Sequence, residues 1–492
     1  MIRKSLQLAG GGLAGKVLGV GREFLVASFY GTTGVAASYR VSQSAVFIPV
    51  NFFTADCLSC GFLPLYKRYA SEDKELSSAL FWVMGGFFLL LTVGIGATLY
   101  LASHRVASML APGFSADSKN LAAEMIRAMA VGVPIYLISC FLGYYEMANG
   151  RYRMMAARAS LQSVGLVAGS CIAYYLRRPV WLAWGFVLAY AVFLVWGAIV
   201  VLRHNQLDPA AKCVNRARLR RIGHDLLTIM RPLMVLPLFV QGSVATERIF
   251  ASLLGEQTVP ALDYARLISE TGVLMLAVPF GLTGLAELVV ISETKLSEQV
   301  MKVCRFLLVI AVPTTIFVFR SRVDIVTILF RRGAFNADSV RLTANALAGV
   351  ALGLWAQITT YFLIKVLSAR FMNWAVVKVA LLGAIINVIV SFCLYRRLGI
   401  LGLGLGATAN SLASWIVASR QLKVLGEQLR FLGRLVALGA VYLLLATALD
   451  RVIVFHGVVA RMAVATCLFV VFWGCCLLLR LVPTQLRPSG AT

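Results

Sequence analysis

Long apolar stretches, separated by short charged or Gly/Pro-containing segments, recur along almost the whole chain. Many are about 20 residues long, the length that an α-helix needs to cross the hydrocarbon core of a bilayer. They predict fourteen helices, over residues 7–29, 36–65, 77–103, 121–148, 154–176, 180–202, 228–254, 262–291, 302–320, 340–368, 374–395, 398–422, 432–450 and 457–481. We therefore expect an all-α polytopic membrane protein with about fourteen transmembrane helices.

The composition points to the same class. The 492 residues are 60% hydrophobic and only 14% charged, whereas soluble domains average roughly 45–50% apolar and about 25% charged residues. This excludes a disordered chain, a secreted disulfide scaffold and a compact cytosolic enzyme. Most of the ten cysteines lie in apolar runs, where cysteine acts as a small hydrophobe. Cys57 and Cys60 form a CxxC without a second pair or a suitably spaced histidine, so no metal site is expected.

The formal net charge of +25 has a membrane explanation. Lysine and arginine concentrate on the cytoplasmic side of membrane proteins and near anionic lipids, so a nucleic-acid partner is not expected. Placing both termini in the cytoplasm puts the largest basic cluster, residues 203–221, in the longest inside loop and leaves the outside loops 30–35 and 255–261 without lysine or arginine. The predicted outside loop 321–339, with Arg322, Arg331 and Arg332, is the exception.

Two similar segments indicate an internal repeat. Phe114-Ser115-Ala116-Asp117-Ser118 precedes the fourth predicted helix, and Phe335-Asn336-Ala337-Asp338-Ser339 precedes the tenth. Locally, an Asp or Ser can cap the incoming helix, and Asp117 and Asp338 are the expected caps. Repeats of even helix number are typical of transporters. We predict a six-helix lobe over 1–210, a second over 211–427, and two extra helices with a cytoplasmic tail over 428–492.

Charged residues concentrate in the first two helices of each predicted lobe. A charge inside a span is costly and persists mainly beside a partner or a water-filled cavity. We therefore expect a cationic cavity that binds an anionic substrate, and carboxylates that couple or gate transport. The substrate-binding candidates are Lys16, Arg22, Arg40, Arg248 and Arg266. The coupling or gating candidates are Glu23, Asp56, Glu247 and Glu287. The alternative is local neutralisation, as between Lys16 and Glu23, or extension of Arg40 and Arg266 to the interface.

Five motifs occur in order along the chain. They are Lys16 to Glu23 (KVLGVGRE), Leu110 to Phe114 (LAPGF), Arg248 to Leu254 followed by Leu-Asp-Tyr-Ala, Leu329 to Phe335 (LFRRGAF), and Gly399 to Trp415. In these motifs the chain resembles the MviN/MurJ lipid II flippase family of the multidrug/oligosaccharidyl-lipid/polysaccharide exporter superfamily. The resemblance implies two lobes around a central cavity, alternating access, and a lipid-lined groove formed by the last two helices.

The resemblance also implies roles for particular residues. Arg22 matches the family's first-helix arginine, Lys16 replaces another arginine with the charge retained, and Arg266 lies one position before the eighth-helix arginine. Three features depart from the family pattern: residues 31–45 contain no carboxylate, Asn51 and Phe52 stand near its paired arginines, and its D-T-x-T-P turn is lost around 372–375. The motifs thus support the family's fold more strongly than they support lipid II as the substrate.

The function expected is translocation of an undecaprenyl-diphosphate-linked saccharide of the lipid II type across the bacterial inner membrane. Its partners would be that lipid and the surrounding membrane lipids, and the protein would act as a monomer, without a cofactor beyond a coupling cation or the membrane potential. The alternatives are a flippase for an exopolysaccharide or O-unit precursor, a drug exporter of the superfamily, or a non-transporting scaffold of the same fold. A membrane enzyme is disfavoured because the four histidines are scattered and no long outside loop is predicted.

Overall fold

The computed structural model describes residues 2–53, 58, 61–204, 216–233, 235–283, 293–370, 372–452, 457–479 and 481. These ranges contain nineteen helices and no strand. In chain order the helices are α1 (Ile2–Tyr30), α2 (Gly34–Phe53), α3 (Leu63–Glu72), α4 (Lys74–Leu101), α5 (Ser103–Leu110), α6 (Ala116–Ala148), α7 (Arg153–Tyr175), α8 (Trp181–His204), α9 (Arg216–Leu233), α10 (Val235–Leu253), α11 (Thr258–Thr283), α12 (Glu293–Arg320), α13 (Arg322–Phe330), α14 (Ala337–Ala351), α15 (Leu354–Ala369), α16 (Asn373–Leu398), α17 (Ile400–Gln421), α18 (Leu425–Val452) and α19 (Val458–Leu478).

The lengths and compositions of these helices establish a polytopic membrane protein. Among the described residues, eight helices are long and apolar enough to cross a bilayer, and the pair α14 and α15, bent by 52°, makes a ninth if it forms one span. The helices α1, α2, α10 and α11 are not among them; they correspond to the first two helices of each predicted lobe, where charged residues concentrate. The all-α polytopic class is confirmed, and the count of fourteen spans stays a prediction.

The two repeated segments adopt the same local structure. In each, a long helix (α4 or α12) is followed by a short one (α5 or α13), a loop, and a capped helix (α6 or α14). The caps are Ser115, whose side chain accepts a hydrogen bond from the Ser118 N–H, and Asn336, which accepts one from Ser339. Asp117 and Asp338 were the expected caps, and that expectation is wrong. They lie in the first helical turn, where a negative charge is favourable near the helix N-terminus.

The chain divides into two compact units, Met1–Pro260 with Arg332–Phe335, and Ala261–Arg331 with Asn336–Thr492. In the first unit, α1 approaches α7 closely because Gly11 and Gly15 face it. A Cβ atom on Gly15 would lie 2.4 Å from that of Ala159. In the second unit, the Thr408 hydroxyl donates to the carbonyl of Gly349 at the end of α14, 2.6 Å away. The lobe boundaries at residues 210 and 427 stay predictions.

Candidate functional site

Three charged side chains from α1 and α2 form one buried cluster in the first unit. Glu23 lies between Arg22 and Arg40. Arg22 donates from Nε and Nη2 to Glu23 Oε1, at 3.1 and 2.5 Å. Arg40 donates to both carboxylate oxygens of Glu23, from Nη1 at 3.3 Å and from Nη2 in a short contact. The sequence thus predicted the members of this cluster correctly, but not that one carboxylate serves both arginines.

The Arg22–Glu23–Arg40 cluster carries a net positive charge in a buried position. The side chains of Glu23 and Arg40 are each 8% exposed, whereas that of Arg22 is 19% exposed. Charges removed from water persist only when they are paired and hydrogen-bonded. Two guanidinium groups share one carboxylate, so these three side chains, counted by themselves, have one positive charge in excess. Guanidinium groups bind phosphate oxygens in the same two-pronged geometry with which they bind carboxylates.

Lys16 does not join this cluster. Its side chain is exposed, and in the described part of the chain it forms no ion pair. It lies about two turns before Glu23 on α1. Gly12, about one turn before Lys16, has open space beside it, and a Cβ on Gly19 would lie 3.8 Å from the Ser163 hydroxyl. The glycines that allow close helix approach are Gly11 and Gly15, which point toward α7.

Glu247 and Arg248 lie near the end of α10, beside a junction between two sequence motifs. Glu247 is buried and Arg248 half-buried. A few residues later, the Ser252 hydroxyl accepts a hydrogen bond of 3.4 Å from the Gly113 N–H. A Cβ on Gly113 would lie 2.2 Å from the Ser252 carbonyl oxygen, so only glycine fits this approach. The motif at 110–114 thus packs directly on the motif at 248–254.

Glu256 completes this junction. Its Oε1 accepts from the Ser115 N–H at 2.6 Å and its Oε2 from the Ser118 hydroxyl at 2.7 Å. Ser118 in turn accepts, at its carbonyl, a hydrogen bond of 2.8 Å from the Ser38 hydroxyl of α2. Burial raises the pKa of the Glu256 carboxyl, but the hydrogen bonds from Ser115 and Ser118 outweigh this and hold the pKa below its usual value.

A third motif contacts the end of α1 in the same unit. Ala334 donates its N–H to the Ser28 carbonyl at 2.8 Å. Gly333 has φ of +56°, and a Cβ there would lie 2.3 Å from the same carbonyl oxygen. Both the backbone conformation and the space therefore require glycine at this position. Motifs that are far apart in the sequence thus lie side by side within the first unit.

The second unit contains a polar cavity of about 510 Å³ beside Arg266. Arg266, Ser269 and Glu270 of α11 form one wall, with Gln357 of α15 and Asn410 of α17 among the facing groups. The Ser269 hydroxyl donates to Gln357 Oε1 at 2.9 Å. Except for Arg266 and Glu270, the polar lining consists of uncharged hydroxyl and amide groups. Such groups bind uncharged polar ligands by hydrogen bonds.

Comparisons with known proteins agree with this architecture. The family model described as "Lipid II flippase MurJ" matches residues 26–474. The chain belongs to the lipid II flippase MurJ family. It is 24% identical to a probable lipid II flippase MurJ of Rhizobium tropici over 439 residues, covering 85% of this chain and 79% of the relative. It is also 24% identical to a lipid II flippase MurJ of Burkholderia cenocepacia over 445 residues, 84% and 82% of the two chains.

Solved structures show the same fold. A lipid II flippase MurJ in an inward closed conformation matches with a TM-score of 0.81 and 15% identity, over 98% of this chain and 99% of that one. An inward-facing MATE family multidrug transporter of the MOP superfamily matches with a TM-score of 0.69 and 17% identity, over 84% and 96%. The MurJ-like fold and the membrane-transporter family expected from the sequence motifs are confirmed.

Within this MurJ-family chain, the predicted site residues fall into separate groups. Arg22, Glu23 and Arg40 come together, Lys16 is apart from them, and Arg266 lines the cavity of the second unit. Asp56, Glu287, Cys57 and Cys60 lie outside the described residues. The binding and coupling roles of all nine candidates stay predictions.

The search for charged residues inside spans missed two features of this MurJ-family chain. One is Glu256, which lies in a predicted outside loop rather than in a span. The other is the set of uncharged groups around the second-unit cavity, such as Ser269 and Gln357. The position of Ser269 beside this cavity could have been predicted from helical spacing, because Ser269 lies three residues, nearly one turn, after Arg266 on α11.

Proposed function

We propose that this protein is a flippase that moves a polyprenyl-diphosphate-linked saccharide of the lipid II type across the bacterial inner membrane by alternating access. The observation that carries the proposal is the match to the MurJ family over residues 26–474. This match is consistent with transport and not catalysis as the protein's role. It is also consistent with a monomer that has both termini in the cytoplasm.

The chemistry of the Arg22–Glu23–Arg40 cluster supports a diphosphate ligand. A diphosphate offers several anionic oxygens, and each guanidinium group can bind two of them. Glu23 now occupies donors of both arginines, so an incoming diphosphate would compete with Glu23 for the same N–H groups. This exchange gives binding that is specific yet reversible, because Glu23 pairs with both arginines again after the ligand leaves. Lys16, Arg248 and Arg266 are further candidates for diphosphate contact.

The second-unit cavity supports a saccharide as part of the ligand. Sugars and peptide amides are uncharged and rich in hydrogen-bonding groups, which matches a lining of hydroxyl and amide side chains. Two of these groups, Ser269 and Gln357, are hydrogen-bonded to each other, which fixes their orientation. We propose that this cavity contacts part of the saccharide head group.

The driving force is a further part of the proposal. A net positive cluster that moves relative to the membrane field responds to the membrane potential, since one charge across 100 mV is worth about 2.3 kcal/mol. Glu23 and Glu247 are the buried candidate carboxylates for coupling to a cation among the described residues, with Asp56 and Glu287 as further candidates. No cofactor is required for either scheme.

Lipid II translocation in proteoliposomes tests the proposal directly. Arg22→Ala and Arg40→Ala are expected to lower the initial rate by about tenfold or more, because each removes charge-assisted hydrogen bonds. Arg68→Ala is the matched control, since Arg68 is an exposed arginine of the same unit whose ion pair, among the described residues, is with Glu72. Translocation by both cluster variants at the wild-type rate would contradict the assignment of the site.

The cargo is tested separately. The lipid that co-purifies with the protein, identified by mass spectrometry, is expected to be lipid II. Recovery of an exopolysaccharide or O-unit precursor instead would retain the transport mechanism and change the substrate. Failure to complement a flippase-depleted strain, together with no transport of either lipid class in proteoliposomes, would favour the non-transporting scaffold.

A further inference from the structure

A second cavity lies in the first unit, on the side of α6 and α8 that carries exposed aromatic side chains. It has a volume of about 750 Å³ and is lined by α4, α6, α8 and the loop between α7 and α8. The loop residues Arg177 and Arg178 form its rim together with Trp181 and Trp184 of α8, while Arg127 of α6 contributes a third guanidinium group. The sequence predicts that this end of the helices faces outside.

The cavity is cationic, because three arginines and one glutamate are the charged residues among those that line it. In the described part of the chain, Arg127, Arg177 and Arg178 form no ion pair, and Glu124, which also lines the cavity, forms none with them. Arg127 is half-buried and held by a 2.9 Å hydrogen bond from its Nε to the buried Ser103 hydroxyl. Its position is therefore fixed while the rest of its guanidinium group remains available to a ligand.

Arg177 has a backbone conformation that argues against a purely structural role. Its φ is +53°, in the left-handed region, where α7 ends. The next residue, Arg178, donates its N–H back to the Ala173 carbonyl, as in the usual termination of a helix. Glycine is the favoured residue at such a position because a side chain there is strained. An arginine held in a strained conformation at a cavity rim points to a functional side chain.

An exposed apolar stripe continues from the cavity along α8. Trp181, Trp184, Leu188, Val192 and Val195 follow one another at steps of three or four residues and are all exposed. The stripe from Trp184 to Ile199 extends about 22 Å at 1.5 Å per residue, longer than the roughly 15 Å of hydrocarbon in one leaflet, so an acyl chain can lie along it. Tryptophans at the top of such a stripe are typical of the membrane–water interface.

We propose that this cavity binds the phosphate headgroup of an anionic membrane lipid, such as phosphatidylglycerol, whose acyl chains lie along α8. The three arginines match the phosphate, and Trp181 and Trp184 match the glycerol region between headgroup and chains. The apolar stripe distinguishes a lipid from a free phosphate ion, because only a lipid gains from contact with it. The site is separate from the Arg22–Glu23–Arg40 cluster and does not depend on the proposed cargo.

Native mass spectrometry of the purified protein with phosphatidylglycerol or phosphatidylcholine tests the site. The wild type is expected to bind phosphatidylglycerol about tenfold more tightly than phosphatidylcholine, since each arginine near the membrane surface attracts anionic lipid. Arg127→Gln with Arg178→Gln is expected to remove this preference. Arg105→Gln with Arg341→Gln removes the same charge from exposed positions outside the cavity and is expected to retain it.

Arg177→Gly separates a binding role from a structural one. Glycine relieves the backbone strain, so the melting temperature in phosphatidylcholine should equal or exceed that of the wild type. The preference for phosphatidylglycerol should nevertheless fall at least about threefold because one cation is lost. An unchanged preference in both Arg177→Gly and the Arg127/Arg178 double variant would overturn the proposal. So would binding of soluble glycerol phosphate as tight as that of the lipid, because the apolar stripe would then contribute nothing.

Discussion

The carboxylate of Glu256 accepts a hydrogen bond from the hydroxyl of Ser118, with 2.7 Å between Oε2 and Oγ, although 138 residues separate the two in the sequence. We expect Glu256→Gln and Ser118→Ala each to lower the free energy of unfolding by about 1 kcal/mol, as for a partly exposed charged hydrogen bond. A double-mutant cycle by thermal unfolding in detergent measures the coupling. Strictly additive single effects would show that the contact contributes no stability.

The same carboxylate predicts a pH dependence. The pKa of Glu256 is lowered in the folded protein relative to its usual value of 4.5, so folding favours the ionised form. Its contribution to stability is therefore fully present above pH 4.5 and is lost as the pH falls through the lowered pKa. The melting-temperature difference between wild type and Glu256→Gln should be constant at neutral pH and shrink below pH 4.5. A difference that grows on acidification would contradict this.

Helix positions were predictable from the sequence because hydrophobic runs report directly on burial in lipid. Predicted 121–148 corresponds to α6 (Ala116–Ala148), and predicted 154–176 to α7 (Arg153–Tyr175). The predicted tenth helix, 340–368, was not expected to break into α14 and α15. That bend lies at Gly353, where a Cβ would be 2.8 Å from the Thr408 Cα atom. A break set by contact with another helix leaves no trace in hydropathy.

Only the charged residues of the candidate site could be predicted from the sequence, because a charge within a membrane span is rare and costly. This reasoning found Arg22, Glu23 and Arg40 because each is an unusual residue where it stands. It did not find Gln357, because uncharged polar residues are common in helices and need no special partner. The ion pair between Arg40 and Glu23 was not predicted either. Their helices are joined by a turn, and the sequence does not determine the geometry of that turn.

The shared carboxylate of Glu23 predicts an opposite response of stability and ligand binding. Glu23→Gln removes the carboxylate that Arg22 and the buried Arg40 share, which should cost about 3 kcal/mol of folding stability. The same change removes the competitor for an incoming diphosphate. We expect inorganic pyrophosphate to raise the melting temperature of Glu23→Gln more than that of the wild type, measured by thermal shift, and lipid II release to slow.

Glu146→Gln is the matched control for this experiment. Glu146 is a buried carboxylate of the same unit that pairs with Arg151 at 3.0 Å, outside the Arg22–Glu23–Arg40 cluster. Its loss should destabilise the protein in a similar way but give no added response to pyrophosphate. Equal pyrophosphate responses in the two variants would mean that any unpaired arginine produces the effect, and the diphosphate role of the cluster would then be rejected.

The close approach of α1 and α7 predicts a sharp difference between neighbouring glycines. A Cβ on Gly15 would lie 2.4 Å from the Ala159 Cβ, whereas one on Gly12 meets nothing within 4 Å. Gly15→Ala should therefore cost about 1–3 kcal/mol by overpacking, while Gly12→Ala should be neutral or stabilise α1 by up to about 1 kcal/mol. Thermal unfolding of the two variants compares them directly, and equal effects would argue against this helix contact.

We expect Gln357 in the second-unit cavity to contact the saccharide of the cargo and not its diphosphate. Its Oε1 accepts from Ser269 at 2.9 Å, and its side chain lines the cavity, so we expect its amide N–H groups to serve the ligand. Gln357→Leu keeps the side-chain volume but removes these donors, so transport of lipid II should fall by about tenfold. Transport of undecaprenyl diphosphate without a saccharide should fall much less, because that lipid lacks the sugar groups proposed to bind the Gln357 amide. Gln421→Leu, at the end of α17 and outside the cavity lining, should transport both lipids at wild-type rates. Equal losses for the two lipids in Gln357→Leu would instead indicate a structural defect, and a saccharide contact in this cavity would be excluded.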